Sequence, residues 1–277
     1  MKYFATRLNF GWRVIATGFC FACFGIGAVV QSFTVWPLLY FSAMGGHKGR
    51  ARVQRALADS MALFIELMRW VGVLTYEVRG REHLTERGQL IVANHPSLID
   101  VVFIVSLLPQ VDCIVKAQLW RNPFLRWPVI WAGYIRNTIG NELVAQCAAS
   151  LRQGRSLLLF PEGTRTRPGQ SFSMQRGAAQ IAIASGLNLR AITISCYPPM
   201  LGKNVPWYRV PAYKAHWIIN VHPEPIDIQR QVSAEAGTPL PRLARHITKH
   251  LEQWFTSSVA AQLPESIERA RHNVGGS

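Results

Sequence analysis

Acidic residues are scarce in this chain. Asp and Glu total 15 against 30 Lys and Arg in 277 residues, which leaves a formal charge of +15 and a pI near 10.3. The surplus points to nucleic acid, to an anionic membrane surface or to an anionic substrate, and composition alone does not choose among them. An apolar fraction of 49% excludes a disordered basic tail protein. Cysteine is also sparse. Cys20, Cys23, Cys113, Cys147 and Cys196 are scattered along the chain. Cys20 and Cys23 form a C-x-x-C, but they lie in an apolar run with no second Cys/His pair at ligand spacing, so they read as small hydrophobes. Neither a disulfide framework nor a metal site is expected. Internal repeats are missing, as is any linker long enough to split the main domain.

Charge is missing altogether between Arg13 and His47. Val14 to Val30, VIATGFCFACFGIGAVV, is the most apolar part, and QSFTVWPLLYF extends it to the length of a membrane span. The run is too long for a cleaved signal peptide, and no small-x-small site followed by a polar start is present. A membrane-embedded N-terminal segment is expected, crossing once or dipping into one leaflet, since Gln31, Ser32 and Pro37 interrupt it. Lys2, Arg7 and Arg13 precede it, and the denser cluster Lys48, Arg50, Arg52 and Arg55 follows. By the positive-inside rule the main domain then faces the cytoplasm from the inner membrane.

Arg52 to Tyr76 reads as a helix whose first half carries an apolar stripe, Val53, Leu57, Met61, Phe64, Ile65 and Met68. It suits an anionic bilayer surface or a protein core equally. Beyond it the texture alternates between strand and helix. Strands are expected within 76–80, 88–95, 112–119, 156–160, 189–196 and 214–226, and helices over 97–108, 122–135, 141–154, 177–186 and 241–263. This predicts an α/β fold, a mostly parallel sheet flanked by helices, with the N-terminal membrane-embedded helical segment attached. The organisation expected is membrane and amphipathic helices over 1–75, the main domain over 76–263 and a flexible tail over 264–277.

Open parallel sheets collect ligands at the carboxyl ends of their strands. One strand delivers NHPSLID (94–100) to such an end, and another delivers PEGTR (161–165). On one continuous helix His95 and Asp100 would point about 140° apart. Pro96 disfavours helix at His95 and suits a helix start, so His95 belongs to a loop that can turn back on Asp100. The pair then has the makings of a general base and its orienting acid. Standing alone it has a plain structural reading as well, a histidine satisfied by a nearby carboxylate. The second loop adds Glu162, the tight turn at Gly163, the Thr164 hydroxyl and the forked cation of Arg165, suited to phosphate. Arg176 follows, and Lys116 ends another strand.

NHPSLID and FPEGTR (160–165) resemble the two signatures of the glycerolipid acyltransferases, N-H-x4-D and FPEGTR, in the same order and each after a strand. RGAAQIA (176–182) and VKAQL (115–119) are similar to that family's later basic-Gly turn and Lys-containing strand. The resemblance covers Tyr76 to Ile226. It implies acyl transfer from a thioester, acyl-ACP or acyl-CoA, to the hydroxyl of a lysophospholipid, most simply lysophosphatidate giving phosphatidate. It implies His95 and Asp100 as the catalytic pair and Glu162, Gly163, Thr164, Arg165, Lys116, Arg136 and Arg176 as substrate-binding residues. No cofactor and no metal enter that chemistry. Two departures concern the acceptor. The family's Arg after a G-x-I-x-I-x-R run is represented by Arg136 directly after Ile135, in GYIRNTIGN (133–141), and its Val-Pro-Val strand reads LRAITI, with Ala191 at the proline position. Another lysolipid acceptor is therefore the alternative, and a non-catalytic lipid-binding module is the rival from a different class. The expected partners are the thioester donor, the lysolipid and the bilayer, with no nucleic acid.

Overall fold

The computed structural model describes residues 2–122, 126–138, 140–167 and 170–275, so Phe124 and its neighbours in the expected 122–135 helix, Ile139 and the last two tail residues lie outside the description. Seven strands form one sheet: β1 (Leu74–Arg79), β2 (Leu90–Ala93), β3 (Val111–Val115), β4 (Ile135–Arg136), β5 (Ser156–Leu159), β6 (Leu189–Tyr197) and β7 (Ala215–Val221). Their order is β1-β7-β6-β2-β5-β3-β4, and every neighbouring pair is parallel except β6 with β7. The sheet is mostly parallel and helix-flanked, as the alternation implied. LIVA of β2 and SLLL of β5 are buried at every residue, the continuous apolar runs that a strand covered on both faces requires.

Nine helices are described: α1 (Lys2–Phe33), α2 (Val35–Ser42), α3 (Gly46–Trp70), α4 (Asp100–Leu107), α5 (Arg126–Ala132), α6 (Asn141–Arg152), α7 (Gly177–Ser185), α8 (Ile228–Ala234) and α9 (Leu240–Gly275). One face of the sheet packs against α1, α3 and α4, with Met68, Phe103 and Trp217 in its core. The other packs against α6, α7 and α9 around Leu151, Ile181 and Phe255. The stripe Val53, Leu57, Phe64, Ile65 and Met68 of α3 is buried, so that helix faces protein.

Several boundaries shift by a few residues, and three larger differences from the sequence expectation have a physical cause. Helix α3 begins at Gly46 and stops at Trp70, where the chain turns through Gly72 at φ 78° into β1, because pairing with β7 competes for residues 74–79. Helix α8 was not foreseen; its N-cap Asp227 accepts the Arg230 N–H at 3.0 Å. The tail expected to fray at Pro264 is helical to Gly275. A polar seam holds it there: Gln262 Nε2 donates to Ser195 Oγ at 2.9 Å and to the Ile218 carbonyl at 2.8 Å, and Ser266 pairs with Ser195.

Residues 9–42 are long and apolar enough to cross a membrane by length and composition. Yet α1 runs antiparallel along α3, tied at both ends. Trp12 Nε1 donates to the Val71 carbonyl (2.9 Å), Arg13 to the Ala212 carbonyl (2.6 Å), and Ser60 Oγ to Gln31 Oε1 (2.7 Å). Ala16, Cys20 and Ala28 are buried, whereas Trp12, Ile15, Phe19, Ile26, Val30 and Phe33 point outward. The first 75 residues thus share a core with the sheet.

Candidate active site

The chain leaves the sheet after β2 without losing its place. The side-chain amide of buried Asn94 donates to the Ile194 carbonyl at 2.8 Å and accepts the Ile194 N–H at 2.6 Å. It stands in for a further strand residue and fixes where the next one starts. That residue is His95, whose Nδ1 lies 3.0 Å from Oδ2 of Asp100. Asp100 opens α4, where the helix dipole favours a negative charge. Its Oδ2 also accepts the Ser97 N–H at 2.5 Å. An oxygen that accepts a peptide N–H is placed to accept from the ring as well, which assigns the hydrogen to Nδ1 and leaves a lone pair on Nε2. Among the described residues nothing is hydrogen-bonded to Nε2, and the ring is 16% exposed beside a wholly buried carboxylate.

Burial pushes the Asp100 pKa up, and the imidazole and the Ser97 N–H oppose that shift. The Trp217 indole N–H also favours the carboxylate, although neither Trp217 Nε1 nor Asp100 Oδ1 reaches a hydrogen-bond partner. Trp217 therefore faces Asp100 as a dipole and not as a bonded donor.

The second motif locks onto the first. Strands β2 and β5 are neighbours, so both loops leave the same rim. Glu162 Oε1 accepts the His95 backbone N–H at 2.7 Å, Oε2 accepts the Thr166 hydroxyl, and Thr166 N–H donates to the His95 carbonyl at 3.1 Å. The Phe160 ring lies 4.6 Å from the imidazole, centroid to centroid. Burial raises the Glu162 pKa, against the bonds from Thr166 and His95. Gly163 takes φ 66° and donates to the Phe160 carbonyl at 3.0 Å, a tight turn in the left-handed region that favours glycine.

The remaining expected site residues fall into two groups. Glu162, expected on the acceptor side, turns inward and acts as a strut under His95. Arg165 donates through one guanidinium nitrogen to the carbonyls of Leu201 and Gly202, both at 2.9 Å, in the loop after β6. Gly163, Thr164, Lys116, Arg136 and Arg176 are exposed. The strand order puts Lys116 two strands from β2 and Arg136 three, about 10 and 14 Å along the same rim. Arg176 caps α7 at the end of the Glu162 loop. Sequence reasoning did not pick out Asn94, Thr166, Phe160 or Trp217. Asn94 and Phe160 stand inside the quoted motifs; Trp217 carried no local signal.

Beneath this rim lies an apolar cavity of about 310 Å³ between α1, α3 and α5. Phe24, Phe64, Leu119 and Val129 line it, and so does Val101, the residue after Asp100.

A family described as "Acyltransferase" matches residues 75–198. The chain is similar to the 1-acyl-sn-glycerol-3-phosphate acyltransferase of Pseudomonas aeruginosa, 26% identical over 239 residues that cover 84% of each protein. It is also similar to the lyso-ornithine lipid O-acyltransferase of that organism, 33% identical over 148 residues, 50% of this chain and 57% of that one. The crystal structure of the 1-acyl-sn-glycerophosphate acyltransferase PlsC from Thermotoga maritima has the same fold, with TM-score 0.63 over 88% of this chain and 97% of the other at 20% identity.

Proposed function

This chain belongs to the glycerolipid acyltransferase family and is an O-acyltransferase, and from that premise we propose that it transfers a fatty acyl group from acyl-ACP or acyl-CoA to lysophosphatidate, giving phosphatidate. The observation that carries the proposal is the double hold on His95, its ring by Asp100 and its backbone by Glu162. A base fixed at both ends presents Nε2 at a defined angle and loses little entropy in the transition state.

In this reading Nε2 takes the proton of the acceptor hydroxyl as its oxygen bonds to the thioester carbonyl carbon. Negative charge moves to the carbonyl oxygen, where the N–H or hydroxyl of exposed Thr164 or a rim cation stabilises it. The imidazolium is held by Asp100 meanwhile. Collapse of the tetrahedral adduct breaks the C–S bond, and the departing sulfur takes the proton from Nε2. The apolar cavity, at the lower end of the usual ligand-pocket range, suits the acyl chain.

The outward apolar side of α1 and the exposed Leu38 and Phe41 of α2 support a protein lying on the bilayer. Ties from Trp12, Arg13 and Gln31 along α1 favour an in-plane helix over a crossing, since a crossing would draw the packed domain into the lipid. The cationic cluster after α2 supports the cytoplasmic side of the inner membrane.

A second reading keeps the chemistry and changes the acceptor to lyso-ornithine lipid. It rests on Arg165, whose guanidinium already serves two carbonyls, and on the relative with that acceptor in its name. The test is kcat/KM of purified protein on both lysolipids, with Arg165→Ala alongside. Lysophosphatidate should be preferred, and the variant should chiefly raise its KM. A preference for lyso-ornithine lipid with no effect of Arg165→Ala would establish the second reading instead.

A further inference from the structure

The opposite rim of the sheet, where β2, β3 and β5 begin, holds a cavity of about 600 Å³. Lys48, Arg50 and Arg55 of α3, Arg87 before β2 and Arg155 before β5 line it, against the carboxylates of Glu86 and Asp112. Asp112 is buried and already held: Arg155 pairs with Oδ1, Gln54 Nε2 donates to the same oxygen at 3.0 Å, and the Ser150 hydroxyl to Oδ2 at 2.6 Å. Glu86 is exposed and lies 3.7 Å from Arg190, a residue that does not line the cavity. Among the described residues no carboxylate pairs with Lys48, Arg50, Arg55 or Arg87. Four like charges around one space repel each other, and an anion between them removes the repulsion.

A neighbouring hollow of about 410 Å³ shares Lys48, Arg55 and Gln110 with this cavity and adds Met44 and Arg52. Met44 is 91% exposed, and Phe41 and Leu38, three and six residues before it, are 68% and 70% exposed. The cationic cup is therefore continuous with an apolar step. A soluble phosphate would use the cup alone, whereas a phospholipid uses both, its tails beside Phe41 and Met44 and its phosphate among the arginines. The cup is separate from the acyl-transfer site, because its residues precede the strands that His95 and Glu162 follow, roughly 13–17 Å away along four or five residues of strand.

We propose that this cavity is a second anion site, which takes the phosphate headgroup of an anionic phospholipid from the bilayer surface. The inference goes beyond the acyl-transfer reading and does not rest on it.

The test is flotation of the full-length protein with vesicles of phosphatidylcholine alone and of phosphatidylcholine with phosphatidylglycerol. Arg50→Gln/Arg55→Gln/Arg87→Gln should lose the preference for the anionic vesicles, by about fivefold per cation. Arg155 stays in place because Asp112 needs it. The control Arg242→Gln/Arg245→Gln/Lys249→Gln removes the same charge from exposed positions of α9 and should keep most of the preference. Should the triple variant fold poorly, Arg87→Gln alone, in an exposed loop, should show the single-cation loss. His95→Ala should float as the unaltered protein does. Equal losses in the cup and control variants would mean diffuse attraction to a basic surface and would overturn the proposal, as would an unchanged cup variant. Tight binding of inorganic phosphate that anionic vesicles do not displace would reassign the cavity to a soluble ligand and overturn the lipid assignment.

Discussion

At the carboxyl rim Asp100 and Glu162 are buried, and each accepts from two groups that belong to the motif loops. At the amino rim Lys48, Arg50, Arg55 and Arg87 surround a cavity in which the buried carboxylate, Asp112, is held by Arg155. The same strands thus end in two different uses of charge. Buried, hydrogen-bonded charge orients one imidazole and is little affected by salt, whereas exposed cations attract a ligand and are screened over about 10 Å at 0.1 M salt. Raising ionic strength should weaken vesicle binding and leave turnover of detergent-dispersed substrate nearly unchanged.

The largest effect should come from His95→Ala, a loss of about 10²–10⁴-fold in kcat measured by thioester consumption, with vesicle flotation unchanged. Loss of flotation as well would mean that the rims are not independent. Asp100→Asn should lower kcat by about 10²-fold and leave KM nearly alone, because the imidazolium loses its partner only as it forms. A KM effect of similar size would place Asp100 in acceptor binding. Glu162→Ala should cost about 1–3 kcal/mol in urea unfolding by orphaning the His95 N–H, with kcat falling about tenfold. Glu162→Gln, which keeps an acceptor oxygen for that N–H, should do less on both counts. Equal effects would make the charge, not the strut, the operative feature.

The smallest effect expected is on acid stability. Burial lowers the pKa of His216 and of His222 below 6.5, so the folded state binds fewer protons there than the unfolded chain. Their contribution is complete above about 6.5 and is lost as pH falls below it. Asp100 and Glu162, whose pKa values burial raises, run the other way and favour the fold at low pH. His222→Gln should flatten the fall in thermal midpoint between about pH 6.5 and 5 while leaving the carboxyl rim intact. A midpoint that rises on acidification in the unaltered protein would mean that the carboxylates dominate.

Much of this was legible in the sequence where the cause is local. LIVA and SLLL read as covered strands because they are apolar throughout, and His95 could be turned toward Asp100 because Pro96 breaks the helix between them. Legibility ended where the cause was distant. Glu162 and Arg165 stand in one motif, yet one turns inward to His95 and the other reaches the loop after β6, a choice set by residues some 35 to 70 positions away. Hydropathy marked α1 but did not indicate that Ala16, Cys20 and Ala28 face protein. Pro264 argued for a frayed end, and only the buried partners of Gln262 and Ser266 on β6 and β7 explain why the helix continues.

Everything at the carboxyl rim depends on which nitrogen of His95 is bare. Nitrogen-15 NMR of the imidazole in full-length protein at neutral pH reads this directly. The structure predicts Nδ1 protonated toward Asp100 and Nε2 carrying a free lone pair, with the Nδ1 proton moving upfield in Asp100→Asn. A ring with its proton on Nε2, or one whose signals ignore that substitution, would contradict the role of His95 as the base.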